Sequence, residues 1–422
     1  VTAPRLDRRL GLGDAVVIGL GSMIGAGVFV VFAPAAAAAG AGLFVALVLV
    51  AVVAWCNARS TAQLAAVHPT SGGAYAYGRA ELGPWWGFVA GWCFVVGKTA
   101  SCAAMALAFA AYVAPAGWEG ATAVAAVVLL TIVNILGVSK TAAVTRAIVI
   151  FVLAALAIVL AAGLAGPVEP VDAAPGGTAE TLSAGPYGVL QAAGLLFFAF
   201  AGYARIATLG EEVRDPTRTI PLAVTVSFVV ALVLYAAVAL VCVSTLGIAG
   251  LASSGEPLAD VVRAAGWDAA LPAVRVGAAL ASLGALLGLM AGIGRTTLAM
   301  ARERDLPSWL DHVDARFRVP RRAELVLGAV VVLLVLLVDV VAAVALSSVG
   351  VLIYYAVANI SAHRLAGRTR AVRGLHATAI VGAVGCIVLV MALPLAQAVA
   401  GLGIVVLGAA GRALVLRARR TA

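Results

Sequence analysis

The stretch Gly19-Leu-Gly-Ser-Met-Ile-Gly-Ala-Gly-Val-Phe29 governs how the rest of this chain is read. It places glycines at 19, 21, 25 and 27 inside an apolar run that extends from 12 to 38. The spacing has a faint likeness to a dinucleotide-binding loop. Such a loop follows a strand, however, and here only apolar span surrounds it. Two readings remain. Gly21 and Gly25 form a small-xxx-small pair that lets helices pack closely. Alternatively, Gly25-Ala26-Gly27 interrupts the helix, and irregular backbone at membrane depth is tolerated only against protein or beside a cavity.

The composition fixes the class. The chain has 422 residues, 64% hydrophobic and 11% charged, with a mean hydropathy of +1.11. Soluble domains are about half apolar and about a quarter charged. The excess excludes a cytosolic enzyme, a secreted disulfide scaffold and a disordered chain. It points to an all-α polytopic membrane protein forming one integral domain over 1–422. Apolar runs give twelve candidate spans: 12–38, 41–66, 85–113, 118–137, 145–166, 187–211, 220–246, 271–301, 323–341, 343–362, 374–394 and 396–416. The boundary near Asp339 is the least sharply marked. Segments 70–82 and 256–265 read as short interfacial helices.

Charge sets an orientation. Of the 28 Lys and Arg, 24 fall in the loops, chain ends and adjoining span ends on the N-terminal side, beginning with Arg5, Arg8 and Arg9. Arg263 and Arg275 fall on the other side, and Lys98 and Arg205 lie within spans. This skew places both termini in the cytoplasm. The outer loop 167–186 is acidic, with Glu169, Asp172 and Glu180. The basic cluster from Arg302 to Arg322 is then a solvated loop, and no nucleic-acid partner is expected despite a pI of about 9.8. No cleavable signal is expected. The 26 Arg against 2 Lys suggest a GC-rich coding bias and a bacterial plasma membrane. Cys56, Cys93, Cys102, Cys242 and Cys386 show no paired spacing and read as inert buried thiols. His68, His312, His363 and His376 fall in connecting loops without ligand spacing, so neither a metal nor a cofactor is expected.

The sixth span holds Phe197-Phe-Ala-Phe-Ala-Gly-Tyr203 followed by Arg205. Its aromatics alone would be ordinary packing. The pairing adds the functional reading: glycine-interrupted spans one and six open two successive sets of five, the pattern of inverted-repeat transporters. Four further stretches stand in order: Leu64-Ala-Ala-Val-His-Pro-Thr-Ser-Gly-Gly-Ala-Tyr-Ala-Tyr77, Leu82-Gly-Pro-Trp-Trp-Gly-Phe-Val-Ala-Gly-Trp92, Gly210-Glu-Glu-Val-Arg-Asp-Pro-Thr-Arg-Thr-Ile-Pro221 and Met300-Ala-Arg-Glu-Arg-Asp-Leu-Pro307. With the first-span glycines, these resemble amino acid permeases of the amino acid–polyamine–organocation superfamily over roughly residues 10–365.

The resemblance implies the leucine-transporter fold. Residues 12–166 would form the first repeat, 187–362 the second, and 374–416 two peripheral helices, with alternating access between the repeats. Carried over by motif, the substrate carboxylate would rest on the backbone of Gly25, Ala26 and Gly27. The amine would rest on carbonyls of Met23, Phe198 and Ala201 beside Gly202, and Phe198 or Tyr203 would serve as gate or wall. The physics agrees. A helix beginning at Gly27 offers free N–H groups and a positive dipole end, and helices ending near Met23 and Phe198–Ala201 offer free carbonyls.

Departures from the pattern matter as much. Ala204 stands where many relatives carry an acid. Residues 283–294 carry no hydroxyl, unlike the eighth helix of sodium-coupled members. Span 147–166 has no charge, where some proton-coupled relatives have a lysine. Lys98 is the one ionisable residue deep in a continuous span, either a titrating coupling group or a fixed positive charge. The expected function is a secondary amino acid permease and not an enzyme. Its substrates would be neutral amino acids, with coupling to protons through Lys98. An exchanger of acidic amino acids or small carboxylates is the second choice, and a non-transporting nutrient sensor on the same scaffold another. A channel lacks its repeated filter.

Overall fold

The computed structural model describes residues 10–68, 72–137, 142–166, 185–210, 212–368 and 375–421, with side chains of the last helix to 417. The acidic outer loop, Arg5, Arg8 and Arg9 fall outside these, as do the start of the 70–82 segment and Glu211. The described residues are helical apart from one isolated parallel bridge, Leu10 to Val213.

The first apolar run is three helices in sequence. α1 (Leu12–Met23) stops where Ile24 leaves the helical region at ψ 43°. Helix resumes as α2 (Gly27–Val30) and α3 (Phe32–Ala39). The chain turns at Gly40, whose φ of 55° suits glycine, and continues as α4 (Leu43–Val67). The interruption therefore spans Ile24–Ala26, one residue earlier than the glycines alone suggest.

Then follow α5 (Gly73–Leu82), α6 (Pro84–Val113), α7 (Glu119–Ile135) and α8 (Ala142–Ala165). α9 (Gly185–Phe200) tightens into a 3-10 turn, Ala201–Tyr203, and runs on as the short α10 (Ala204–Ala207). α11 (Pro216–Ser253) begins earlier than the sequence suggests and bends at Gly247, where φ is 68°. α12 (Pro257–Ala264), α13 (Leu271–Arg302), α14 (Arg321–Leu337) and α15 (Val340–Arg368) come next. The boundary at Asp339 is a cap, with its carboxylate accepting the Ala342 N–H at 2.7 Å. α16 (Leu375–Ala392) and α17 (Leu395–Thr421) close the chain.

Ten segments among the described residues are long and apolar enough to cross a membrane, with Glu119–Ile135 a shorter apolar helix. Their buried faces merge into one large apolar core with two small satellite clusters, around Phe88 and around Leu310, as large exposed residues such as Val48, Leu240, Leu336 and Leu407 turn outward. In water that would be a liability; in a bilayer it is the solvated face. All five cysteines are buried and free. Two histidines are not in loops: His363 and His376 sit on α15 and α16 with their Nδ1 atoms 3.2 Å apart.

Candidate functional site

The two interrupted spans lie against each other, and glycine makes this possible. A Cβ on Gly27 would stand 2.7 Å from the Ala199 Cα. One on Gly202 would collide with the Ser22 carbonyl and sit 2.6 Å from the Met23 nitrogen. The end of α1 is thereby pressed onto the 3-10 turn, and the start of α2 onto α9. Gly25 faces α13, where its Cβ would approach that of Ala285 to 3.0 Å. Met23, Gly25, Ala26, Gly27, Ala201, Gly202 and Tyr203 are thus one neighbourhood, with Phe198 one residue before the contact at Ala199.

Its backbone groups are unevenly satisfied. Among the described residues, Gly25, Ala26 and Gly27 donate no hydrogen bond to another main-chain group outside a helix. They are donors left unsatisfied where a helix begins. The carbonyls are in use. Tyr235 on α11 places its hydroxyl 2.5 Å from the Met23 oxygen and 3.0 Å from that of Ala199. A phenol has one proton to donate, so the two carbonyls share it. The Ala201 oxygen accepts from the Tyr355 hydroxyl at 3.2 Å and from the Lys98 ammonium at 3.4 Å.

Lys98 reaches that carbonyl because α6 and α15 cross at glycine. A Cβ on Gly350 would lie 2.6 Å from the Gly97 Cα. One turn on, the hydroxyls of Ser101 and Ser347 are 2.6 Å apart. Lys98 is 8% exposed, and its ammonium donates to the Ala201 carbonyl; it forms no ion pair among the described residues. Phe198 and Tyr203 are both buried. The Tyr203 ring packs on Tyr355 at 5.1 Å, as a wall rather than a plug.

Sequence reasoning missed Tyr235 and Tyr355. Each had a signal: a hydroxyl-bearing ring in the middle of an otherwise apolar span must find a partner there. It also missed Glu324, placed near a span end yet only 2% exposed, with its Oε2 unpartnered among the described residues. Ser282, one position before the hydroxyl-free stretch of α13, is buried too.

The described residues, helical apart from one bridge, with an apolar outer surface and two abutting helix interruptions, have the architecture of a multi-pass membrane protein. The comparisons give the family. The model of the amino acid permease family matches residues 10–408, and the chain belongs to that family. It is 54% identical to an uncharacterised transporter of Mycobacterium tuberculosis, over 99% of this chain and 94% of that one. It is 26% identical to a branched-chain amino acid permease of Bacillus subtilis, over 78% and 74% of the two chains. It is 28% identical to a methylthioribose transporter of the same organism, over 77% and 74%. The function is transport and not enzymatic catalysis.

Proposed function

We propose that this permease carries neutral amino acids across a bacterial plasma membrane by alternating access. Twelve spans in two inverted sets of five plus a peripheral pair would do so, with both termini cytoplasmic. The observation that carries this reading is the pair of abutting interruptions, with free N–H groups at 25–27 and a ring of carbonyls at Met23, Ala199 and Ala201. The N–H groups suit a carboxylate and the carbonyls an ammonium, so a zwitterion needs no charged side chain. Phe198 and Tyr203 wall the site. The branched-chain specificity of one relative agrees with a neutral side chain.

Lys98 gives the site its coupling. Protonated, it holds the Ala201 carbonyl; on losing its proton it releases that oxygen to the substrate ammonium. Proton and substrate then alternate at one carbonyl. A second reading, acidic amino acids or small carboxylates, is favoured by one observation: the Lys98 ammonium has no carboxylate partner among the described residues. A sensor role lacks any comparable supporting feature.

The test is thermal stabilisation of the purified protein by each of the twenty amino acids, followed by flux in proteoliposomes with and without pH and sodium gradients. Stabilisation by neutral amino acids and pH-driven accumulation are expected. Stabilisation by aspartate or glutamate alone would select the second reading, and flux of none would reject both.

A further inference from the structure

A cavity of 270 Å³ lies directly beneath the interruption of the first span, bounded by Ser22 and Ile24 where α1 ends. Its opposite wall is α13, which presents Gly288 and Gly292. A Cβ on either would meet nothing within 4 Å. These glycines do not serve close packing; the side chains they lack are the space itself.

Two guanidinium groups line this cavity, Arg205 from α10 and Arg295 from α13. Both face the same cavity, as does the Glu212 side of its lining. Neither forms an ion pair with a described residue. Arg205 is half-buried and donates to the Thr208 hydroxyl at 3.2 Å. Glu212 is the one acid among the lining residues. Its main chain is pinned to Leu10: the Leu10 N–H donates to the Glu212 backbone carbonyl, and the Arg214 N–H to that of Leu10, both at 3.0 Å. The Glu324 carboxylate lies against Gly294, the residue before Arg295, and is not among the cavity's lining residues. Like charges facing one small space repel, and a carboxylate between them converts that repulsion into attraction. Guanidinium groups present paired N–H donors that match a carboxylate.

We propose that this cavity is a second substrate subsite, in which Arg205 and Arg295 hold the carboxylate of an amino acid passing between the helix interruption and the cytoplasm. The proposal rests on the transport reading above and adds to it a staging position on one face. The backbone at 25–27 would hold the same carboxylate in the central site, and the arginines receive it one step further along the path.

The experiment uses full-length protein reconstituted in proteoliposomes, with a ¹⁴C-labelled mixture of the twenty L-amino acids as probe. Wild type is compared with Arg205→Gln, Arg295→Gln and Gly288→Val. The last fills the cavity without touching a charge. Flux is measured from each face, and thermal stabilisation by acetate, against chloride at equal ionic strength, reads the site without flux.

The half-saturation concentration on the cytoplasmic face should rise about tenfold in each arginine variant, the scale of one lost charge-assisted hydrogen bond, and should also rise in Gly288→Val, whose side chain takes up the space. That on the outer face should stay unchanged, and acetate should stabilise wild type alone. Unchanged cytoplasmic half-saturation in all three variants would overturn the proposal, as would an equal rise on both faces. Equal stabilisation by chloride and acetate would mean an inorganic-anion site, which also overturns it. If wild type moves none of the labelled amino acids, the transport reading itself fails.

Discussion

At the scale of single residues, two hydroxyls and one ammonium hold the carbonyls of the two interruptions. Tyr235 shares its proton between the carbonyls of Met23 and Ala199, tying the ends of both interrupted spans. Tyr235→Phe leaves those oxygens without a side-chain donor, at a cost of about 1–3 kcal/mol for each buried polar group left unsatisfied. The variant should lose thermal stability in the absence of substrate and recover part of it when substrate is bound; equal loss in both states would mean the hydroxyl is structural alone. Lys98 separates in the same way. If it carries the proton, Lys98→Arg and Lys98→Met both lose pH-driven accumulation yet keep exchange. If it is a fixed charge, arginine restores part of the activity. Normal accumulation by Lys98→Met at every pH would make it a structural lysine held by the Ala201 carbonyl.

At the scale of elements, the cytoplasmic surface expected from the charge pattern contains a compact ionic junction. Asp305, 3% exposed in its side chain, bonds Arg412 at 2.7 Å and Arg79 at 3.0 Å. It also accepts from the Tyr75 hydroxyl at 3.0 Å. Arg412 in turn lies over the rings of Trp85 and Phe88, at 4.9 and 4.7 Å, and donates to the Pro84 oxygen at 2.7 Å. One carboxylate thus joins α5, the start of α6, the turn after α13, and α17. Removing one partner of a buried pair strands the other, so Asp305→Asn should destabilise by about 3–5 kcal/mol. Asp305→Asn combined with Arg412→Leu should cost less than the sum of the two, because the stranded guanidinium is gone. Additive losses, read by thermal unfolding in detergent, would show that the two do not act as a pair. In the turn that follows, the N–H groups of Arg316 and Phe317 donate to the Asp314 carboxylate and hold it below the usual carboxylate range.

The elements also show what a sequence can and cannot reveal. The membrane class was legible because apolar length is a direct requirement of the bilayer; of the twelve expected spans, ten segments among the described residues have that length, and Glu119–Ile135 falls short of it. The helix interruption was legible from Gly25 and Gly27, although its position shifted to Ile24–Ala26 because Gly27 is used for contact with Ala199 and not for irregular backbone. The sixth span was harder. Its aromatics read as packing, and the 3-10 turn Ala201–Tyr203 keeps the chain helical where an open break was expected. Tyr235, Arg295 and Gly288 were not legible as site residues. Each is ordinary in its own helix and acquires its role only through a neighbour distant in sequence.

At the scale of the whole molecule, coupling should need no sodium. Ala281 and Ala285 line the cavity beside the first-span interruption, and the methyl of Ala285 faces Gly25. The nearby Ser282 is fully buried and absent from that lining. A hard cation wants several oxygens, and methyl groups supply none. Uptake should persist when choline replaces sodium at constant pH and potential; collapse under that exchange would place an ion site that the residues on α13 do not provide. The central claim is that two abutting helix interruptions hold an amino acid by their backbone. Its most direct test is substrate binding to Gly27→Val, reconstituted beside wild type, with thermal unfolding as the check on folding. The Gly27 position touches Ala199 and begins α2, whose N–H groups would take the carboxylate in the proposed site. The account predicts that a folded Gly27→Val protein loses binding of every amino acid that wild type binds. Wild-type affinity in that variant would contradict it.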